Sequence, residues 1–403
     1  MNQRLFKTND HYEIVKSISK LGLVCFKMGD LQQSLLFYES ALEISKRIYG
    51  SDHDMISRCL TQIGLFYLNI GNYYESQFYL KLAHVMNLKL FVPDENRETD
   101  HLKVFFSLRN LGLLYMNSSQ FSESLTHLNQ ALEMAQRLFL NDQTKNHPDV
   151  VSMFVLLAEF HRKLASQSGK KRLSYLNKSF EMNKNLYGPT DHSRISKSLS
   201  SLANHYLNYH DFTNAYSYLN QAIEMNKRLY VGHEDHPQLA NDLVSLGRYY
   251  LQYGNYTQSL IHFDKALVMS RKLYSTNHIR IADAETNLGL HYMKIGNYRL
   301  AEPFFKNAYQ MKKTMFNSNK TEHPDMISAL SNLAKLNSKM GDCQTAKKIY
   351  TEAFNAAKNL YRDFNKGNLI EMLPLLKSIG DVYHKYVFVS SIFIFICMKI
   401  FHE

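Results

Sequence analysis

The chain is poor in the residues that separate domains or bind structural metals. Its 403 residues include only seven prolines and four cysteines, and no stretch is rich in proline, glycine and serine. Such stretches commonly join independently folded domains, so we expect no linker within the chain. The cysteines are Cys25, Cys59, Cys343 and Cys397. They lack the paired spacing of a zinc site, and we expect reduced thiols, as in a cytoplasmic protein.

The chain also lacks the short motifs that mark common catalytic sites. It has no phosphate-binding loop, no nucleophile elbow and no His-Glu-x-x-His sequence. Scattered aspartate, glutamate and histidine are expected at this length. We therefore expect a protein that is not an enzyme and that needs no cofactor.

The chain does contain a repeated pattern of leucine or isoleucine, a small residue, two further residues and usually tyrosine. Eight copies are present, and a ninth begins at Gly380; successive small residues lie 42 to 48 positions apart. The eight small residues are Gly22, Gly64, Gly112, Ala158, Ala203, Gly247, Gly289 and Ala334. A period in this range indicates an array of repeats rather than one globular core.

Each repeat has further residues at fixed distances from this small residue. In seven of the eight repeats a second small residue follows after twelve positions, a bulky one after sixteen and alanine after nineteen. Between them lies a turn such as Gly71-Asn72 or Gly254-Asn255, where glycine can end a helix in the left-handed conformation. Small and large residues alternating at helical spacing allow two helices to interlock. Each repeat is therefore predicted to be a helix-turn-helix unit.

These residues resemble the tetratricopeptide repeat, whose signature combines Leu-Gly-x-x-Tyr with a later Ala-x-x-x-Phe. The period here exceeds the usual one of about 34 residues, because the second helices run on to apolar pairs such as Leu229-Tyr230. A linker with histidine follows, and it reads His-Pro in three repeats. This combination resembles the kinesin light chain repeat over roughly residues 11–384. Nephrocystin-type and other eukaryotic repeat proteins share it.

The resemblance implies an all-α fold, a right-handed superhelical solenoid of helix-turn-helix repeats. We expect a short lead at residues 1–10, then eight repeats and the first helix of a ninth at 11–384, and an apolar tail at 385–403. Residues 387–398 of the tail form an apolar run of twelve, whereas a membrane-spanning helix needs about 20 residues. The tail is interpreted as a truncated or wrongly translated repeat, with a membrane anchor as the alternative.

One histidine lies in each of seven linkers, which raises the question of a metal site. These residues are His53, His101, His147, His192, His236, His278 and His323. Successive repeats separate them by at least the distance between packed helices, about 8–10 Å, whereas zinc binds nitrogen at about 2 Å. We therefore expect no metal, and we expect histidine to end each linker before the next helix begins.

The candidate binding residues lie on the first helix of each repeat. Positions two before, one after and five after the small residue form one stripe, and the last is an amide or lysine in all eight repeats. Amides can pair with a peptide backbone and lysine attracts carboxylates; a solvated helix end is the alternative interpretation. The resemblance implies that first helices line a concave groove. The candidate groove residues are Asn69, Asn110, Asn117, Lys163, Asn204, Asn208, Arg248, Gln252, Asn287, Lys294, Asn332, Lys335 and Lys339.

The net charge of +11 favours an acidic partner, and four cations of the stripe cluster late in the chain. They are Arg248, Lys294, Lys335 and Lys339. Nucleic acid is the competing explanation, which we disfavour because acids are interspersed and no nucleic-acid-binding module is visible. We expect a scaffold that binds extended acidic or hydrophobic peptide segments of other proteins.

The resemblance to kinesin light chains implies a cargo adaptor, with motor or cargo proteins as partners in the cytoplasm or on the cytoskeleton. Kinesin light chains carry a long coiled coil before their repeats, whereas about ten residues precede the first helix here. Binding of a motor heavy chain through that coiled coil is therefore not expected. The alternative function is a regulatory or sensor module of a larger assembly, of the nephrocystin or signalling type.

Overall fold

The computed structural model describes residues 12–92, 100–140, 145–164, 168–233, 235–274, 277–316 and 323–360. These residues contain sixteen α-helices and no strand. The helices are α1 (Tyr12–Met28), α2 (Leu31–Tyr49), α3 (Asp54–Asn69), α4 (Tyr73–Phe91), α5 (Leu102–Asn117), α6 (Phe121–Phe139), α7 (Pro148–Lys163), α8 (Gly169–Tyr187), α9 (Ser193–Asn208), α10 (Phe212–Leu229), α11 (Pro237–Tyr253), α12 (Tyr256–Leu273), α13 (Ile279–Lys294), α14 (Tyr298–Met315), α15 (Pro324–Met340) and α16 (Cys343–Leu360).

The helices form eight pairs, one for each predicted repeat, and this confirms the predicted all-α solenoid class. An odd-numbered helix carries the first small residue of each repeat, and an even-numbered helix follows it. The described residues up to position 190, with α1–α8, form one compact unit, and those from position 191 onwards, with α9–α16, form another. Within each unit, every helix packs against the next helix along the chain. The predicted lead, ninth repeat and apolar tail lie outside the described residues.

The first small residue of each repeat lies where the two helices of a pair approach closely. A Cβ atom added at Gly247 would lie 2.5 Å from Phe263, and one at Gly64 would lie 2.7 Å from Leu80. Both neighbours stand sixteen positions after the glycine, as the predicted register requires. Helix packing this close excludes any side chain larger than a hydrogen atom without movement of the neighbour.

The turns within the pairs confirm the predicted role of glycine. Gly71 has φ of 77° and Gly254 has φ of 94°, in the left-handed region that glycine tolerates best. The next residue begins the second helix: the side chain of Asn72 accepts a hydrogen bond from the N–H of Glu75 at 3.2 Å. Asparagine is a favourable residue for this capping position. In seven of the eight pairs, two or three residues therefore end one helix and start the next.

The seven linker histidines begin the first helices of their repeats. In every case Nδ1 accepts a hydrogen bond from the backbone N–H two residues further on, at 3.1–3.2 Å. At least six of the rings also stack on the aromatic side chain at or near the end of the preceding helix. The centroids of Tyr230 and His236, for example, are 3.5 Å apart. Histidine thus ends the linker, as predicted, and joins two consecutive repeats.

Three further observations concern the remaining expectations. Cys25, Cys59 and Cys343 are free thiols. Among the described residues, no helix is long and apolar enough to cross a bilayer, and no cluster of three histidine, cysteine or acidic side chains is suited to a metal ion. The apolar run at residues 387–398 lies outside the part of the chain that the structure describes.

Candidate functional site

Four predicted groove residues belong to the first unit, and the protein itself already engages several of them. Asn110 is only 8% exposed. Lys163 donates a hydrogen bond from Nζ to Oδ1 of Asn117 at 3.1 Å, which joins α7 to α5. Asn69 donates from Nδ2 to the carbonyl of Leu65 in its own helix at 2.7 Å. These polar groups therefore stabilise helix ends and contacts between repeats.

The second unit contains the other nine predicted residues, and two of them line a cavity. Asn204, Asn287 and Asn332 are half-buried, and the rest are exposed. The exposed residues are Asn208, Arg248, Gln252, Lys294, Lys335 and Lys339. Of the nine, Arg248 and Asn287 line the cavity.

This cavity has a volume of about 420 Å³ and lies against the first helices of three consecutive repeats, α11, α13 and α15. Polar side chains from all three helices form its wall, with Val244 and Leu290 among its apolar residues. The polar and charged lining residues are Asn241, Ser245, Arg248, Ser270, Arg280, Asp283, Thr286, Asn287, Lys312, Asp325 and Ser328. Its size falls in the usual range for a ligand site, about 300–1,000 Å³.

The charges around the cavity are partly compensated by one another. Lys312, whose side chain is almost wholly buried, places Nζ 3.4 Å from Oδ1 of Asp283. Burial raises the pKa of Asp283, and the nearby Lys312 ammonium opposes that rise. Arg280 donates from Nη1 to the amide oxygen of Asn241 at 3.4 Å. The lining carries three cations and, with Asp325, two carboxylates, so the guanidinium groups of Arg248 and Arg280 give it a positive excess.

The cavity lies nearer the amino ends of the first helices than the predicted stripe does. The residues five after the small residue stand at the carboxyl ends: Asn208 ends α9 and Lys294 ends α13. Lysine and asparagine are common there because they can pair with the last carbonyls, as Asn69 does. Sequence reasoning missed Asn241, Asp283 and Ser328, which stand six before the small residue. Extending the stripe by four residues would have found all three.

Sequence comparison identifies the repeats. A tetratricopeptide repeat model matches residues 13–84 and 243–314, and a second tetratricopeptide repeat model matches residues 107–149. Together with the helix-turn-helix pairs, these matches show that the chain contains tetratricopeptide repeats. No curated protein matches the chain in sequence.

Several solved structures are similar to the chain at low sequence identity. The Rap conjugation gene regulator of plasmid pLS20, in complex with the Phr* peptide, is 15% identical, with a TM-score of 0.51 over 76% of each chain. A STAND protein of Pyrococcus horikoshii with a tetratricopeptide repeat sensor is 16% identical, with a TM-score of 0.50 over 88% of this chain and 50% of its own. A protein of Podospora anserina, assigned provisionally as a kinesin light chain, is 17% identical, with a TM-score of 0.40 over 53% of this chain and 97% of its own. At these identities the similarities concern the fold alone.

Proposed function

We propose that this repeat scaffold binds an extended, acidic peptide segment of a partner protein along α11, α13 and α15, without catalysing a reaction. The observation that carries the proposal is the cavity, where Arg248 and Arg280 lie beside amides on neighbouring first helices. A guanidinium group can bind a carboxylate through two parallel hydrogen bonds. The nearby amides of Asn241 and Asn287 can pair with both the donor and the acceptor of a peptide bond.

The apolar part of the lining supports a ligand that is not purely charged. Val244 and Leu290 stand on adjacent first helices and both contribute to the wall. A leucine or aromatic side chain of the peptide would bury apolar surface against them, while flanking carboxylates meet the arginines. The Rap regulator, which is similar in fold, was solved with a bound peptide, so a solenoid of this kind can hold one.

The narrower function of a cytoplasmic cargo adaptor, with motor or cargo proteins as partners, rests on the resemblance of the repeats to those of kinesin light chains. A regulatory or sensor module of a larger assembly is the second candidate. It is favoured by the similarity in fold to the STAND protein, whose tetratricopeptide repeats are described as a sensor. Both functions require the groove to bind part of another protein, so the same experiment tests their common element.

The test measures binding of labelled peptides that carry a central leucine or tyrosine between acidic residues, with fluorescence anisotropy as the readout. The double variant Arg248→Glu/Arg280→Glu should bind about tenfold more weakly or worse at low salt. Its binding should also depend less on salt, because the screened attraction is lost. Circular dichroism should be unchanged, since Arg248 and Arg280 are exposed.

Two control variants locate the site. Lys227→Glu/Arg228→Glu changes exposed cations of the second helix α10 and should leave binding within about twofold. Lys294→Glu, at the carboxyl end of α13, changes a residue of the predicted stripe that does not line the cavity and should have the smaller effect. Equal affinity of the wild type and the Arg248→Glu/Arg280→Glu variant at low salt would overturn the proposal, as would a larger loss in the α10 variant.

A further inference from the structure

The solvent-facing side of α4 is apolar over about three helical turns. Tyr74, Phe78, Leu82 and Val85 are 65%, 59%, 42% and 60% exposed. They are spaced i, i+4, i+8 and i+11, so they form one line on the helix, here called the α4 stripe. The opposite side of α4 is apolar as well, with Leu80 and Ala83 buried. A helix with apolar residues on two opposite sides is ordinarily covered on both of them.

The other repeats show what these four positions carry when a helix faces water. In α6 and α10 all four are polar, which shows that packing between repeats does not require apolar groups there. The equivalent residues are Ser122, Thr126, Gln130 and Glu133 in α6, and Thr213, Ser217, Gln221 and Glu224 in α10. α12 has a partial counterpart in Ile261 and Val268, and α2 has one exposed apolar residue, Leu36, at the position of Phe78. The apolar character is therefore a property of α4 and not of the repeat.

The area of the α4 stripe agrees with what a specific interface between two copies needs. Its four side chains present about 500 Å² of surface, in the range of the largest patches on monomeric proteins. Two facing stripes would bury on the order of 1,000 Å², before the polar rim is counted, which reaches the lower bound of a specific interface. A single exposed helix is a ridge without a groove, and a second helix of the same length covers it by packing alongside it.

The charges beside the α4 stripe are placed so that opposite charges of two antiparallel copies would face each other. Glu75 and Lys89 stand seven residues before and seven residues after Leu82, on the same side of the α4 stripe by helical spacing. If two copies of α4 pack antiparallel about Leu82, Glu75 of each copy faces Lys89 of the other, and the helix dipoles also oppose favourably. Lys89 lies 2.5 Å from Asp52 of its own chain at an exposed site, so it would bridge two carboxylates.

We propose that the α4 stripe is a twofold homodimer interface, in which α4 helices from two copies of this chain pack antiparallel about Leu82. A twofold interface uses the same surface on both subunits, which an antiparallel pair of identical helices satisfies. Phe78 of one copy then meets Val85 of the other beside the central leucines. The interface lies in the first unit and is independent of the proposed peptide site in the second.

Analytical ultracentrifugation of the full chain, from about 1 to 100 μM, tests the proposal. The wild type should dimerise in this range. The variant Phe78→Thr/Val85→Glu should stay monomeric, with dissociation at least about a hundredfold easier. It should remain folded, because α6 carries threonine and glutamate at these places. The control Ile261→Thr/Val268→Glu makes the same changes at the equivalent positions of α12 and should dimerise like the wild type.

Charge exchange tests the antiparallel arrangement. Glu75→Lys alone and Lys89→Glu alone should each weaken dimerisation, since each places like charges together, and the double exchange should restore it. A wild type that is monomeric throughout would overturn the proposal and would favour a helix of another protein as the occupant. It would equally be overturned by a dimer that survives Phe78→Thr/Val85→Glu, or by a double exchange that dimerises no better than the single ones.

Discussion

At the scale of single residues, two turns adopt the left-handed conformation without glycine. Ser119 has φ of 61° and His210 has φ of 58°, in the places that glycine occupies in Gly71 and Gly254. A side chain with a Cβ atom pays about 1–2 kcal/mol in this region. Ser119 is also fully buried, and its hydroxyl has no hydrogen-bond partner among the described residues. The repeat geometry thus imposes the turn even where the residue disfavours it.

Replacement of Ser119 with glycine should stabilise the protein. The variant removes both the backbone strain and the buried hydroxyl, while glycine costs some entropy of the unfolded chain, so the expected net gain is about 0.5–1 kcal/mol. Urea denaturation measures it. The reciprocal change Gly71→Ser should destabilise by about 1 kcal/mol, and a gain in that variant would contradict the explanation.

The linker histidines cap the start of a helix and stack on an aromatic residue, two tasks that the sequence pattern did not separate. Nδ1 must be unprotonated to accept the backbone N–H, so the capped state contains the neutral ring. Burial lowers the pKa of His236, and the neighbouring His233 adds to the shift. Burial also lowers the pKa of His278, with Arg280 acting in the same direction. In at least six linkers the ring also stacks, so capping and stacking by one histidine tie the start of a repeat to the end of the previous one.

At the scale of elements, each helix pair is held by one close approach and, in most repeats, one aromatic contact. The tyrosine three after the small residue stacks on the ring fifteen after it: Tyr206 and Tyr218 have centroids 5.5 Å apart at an angle of 5°. Tyr292 and Phe304 repeat this arrangement at 5.5 Å and 13°. The usual tyrosine of the repeated pattern is therefore explained by this stacking rather than by an exposed role.

The alanines nineteen after the small residue should tolerate no larger side chain. Ala222 and Ala266 are fully buried, so Ala222→Leu and Ala266→Leu should each overpack the contact between helices and cost about 1–3 kcal/mol. Thermal denaturation measures the effect. The matched control is Gln221→Leu, one residue earlier on the exposed side of α10, which should change stability little. Unchanged melting of both alanine variants would contradict the packing described above.

At the scale of the whole molecule, buried titratable groups make the stability depend on pH. Their effects on stability run in opposite directions as the pH changes. Burial lowers the pKa of His84 to about 4, with His127 adding to the shift, and His84 Nδ1 lies 2.7 Å from the hydroxyl of Ser107. Burial raises the pKa of Asp242 to about 6, against its hydrogen bonds from Asn226 and Gln238. A lowered histidine pKa contributes stability that is lost as the pH falls, whereas a raised aspartate pKa contributes stability that is lost as the pH rises.

The contribution of His84 can be isolated with His84→Gln, which keeps hydrogen-bonding groups but does not titrate. The free energy of unfolding of the wild type should exceed that of His84→Gln most above pH 6.5, the pKa of an unfolded histidine. This difference should shrink as the pH falls towards about 4. The loss should reach roughly 3 kcal/mol at most. Urea denaturation of both proteins from about pH 7.5 to about pH 5 measures it. Asp242 titrates in both proteins, so a pH-independent difference would contradict the prediction.

Local contacts explain why the repeat could be predicted from the sequence alone. Gly247 contacts Phe263 sixteen residues further on, and His236 caps the N–H of Gln238 two residues further on. Interactions of such short range recur in most repeats, so their spacing is visible as a periodic pattern. The helix pairs, the left-handed glycine turns and the places of the linker histidines were accordingly determined by the sequence by itself.

Only the tertiary structure decided which polar groups of different repeats meet. Arg248, Arg280 and Lys312 line one cavity, although they come from three helices and follow no common register. Their meeting depends on how far each first helix is rotated and shifted against the next, and spacing along the chain does not encode that. The same is true of the α4 stripe, whose apolar residues could equally have been covered by a neighbouring helix. Its exposure became visible only in the packing of the described helices, because burial is a property of the surroundings and not of the residue.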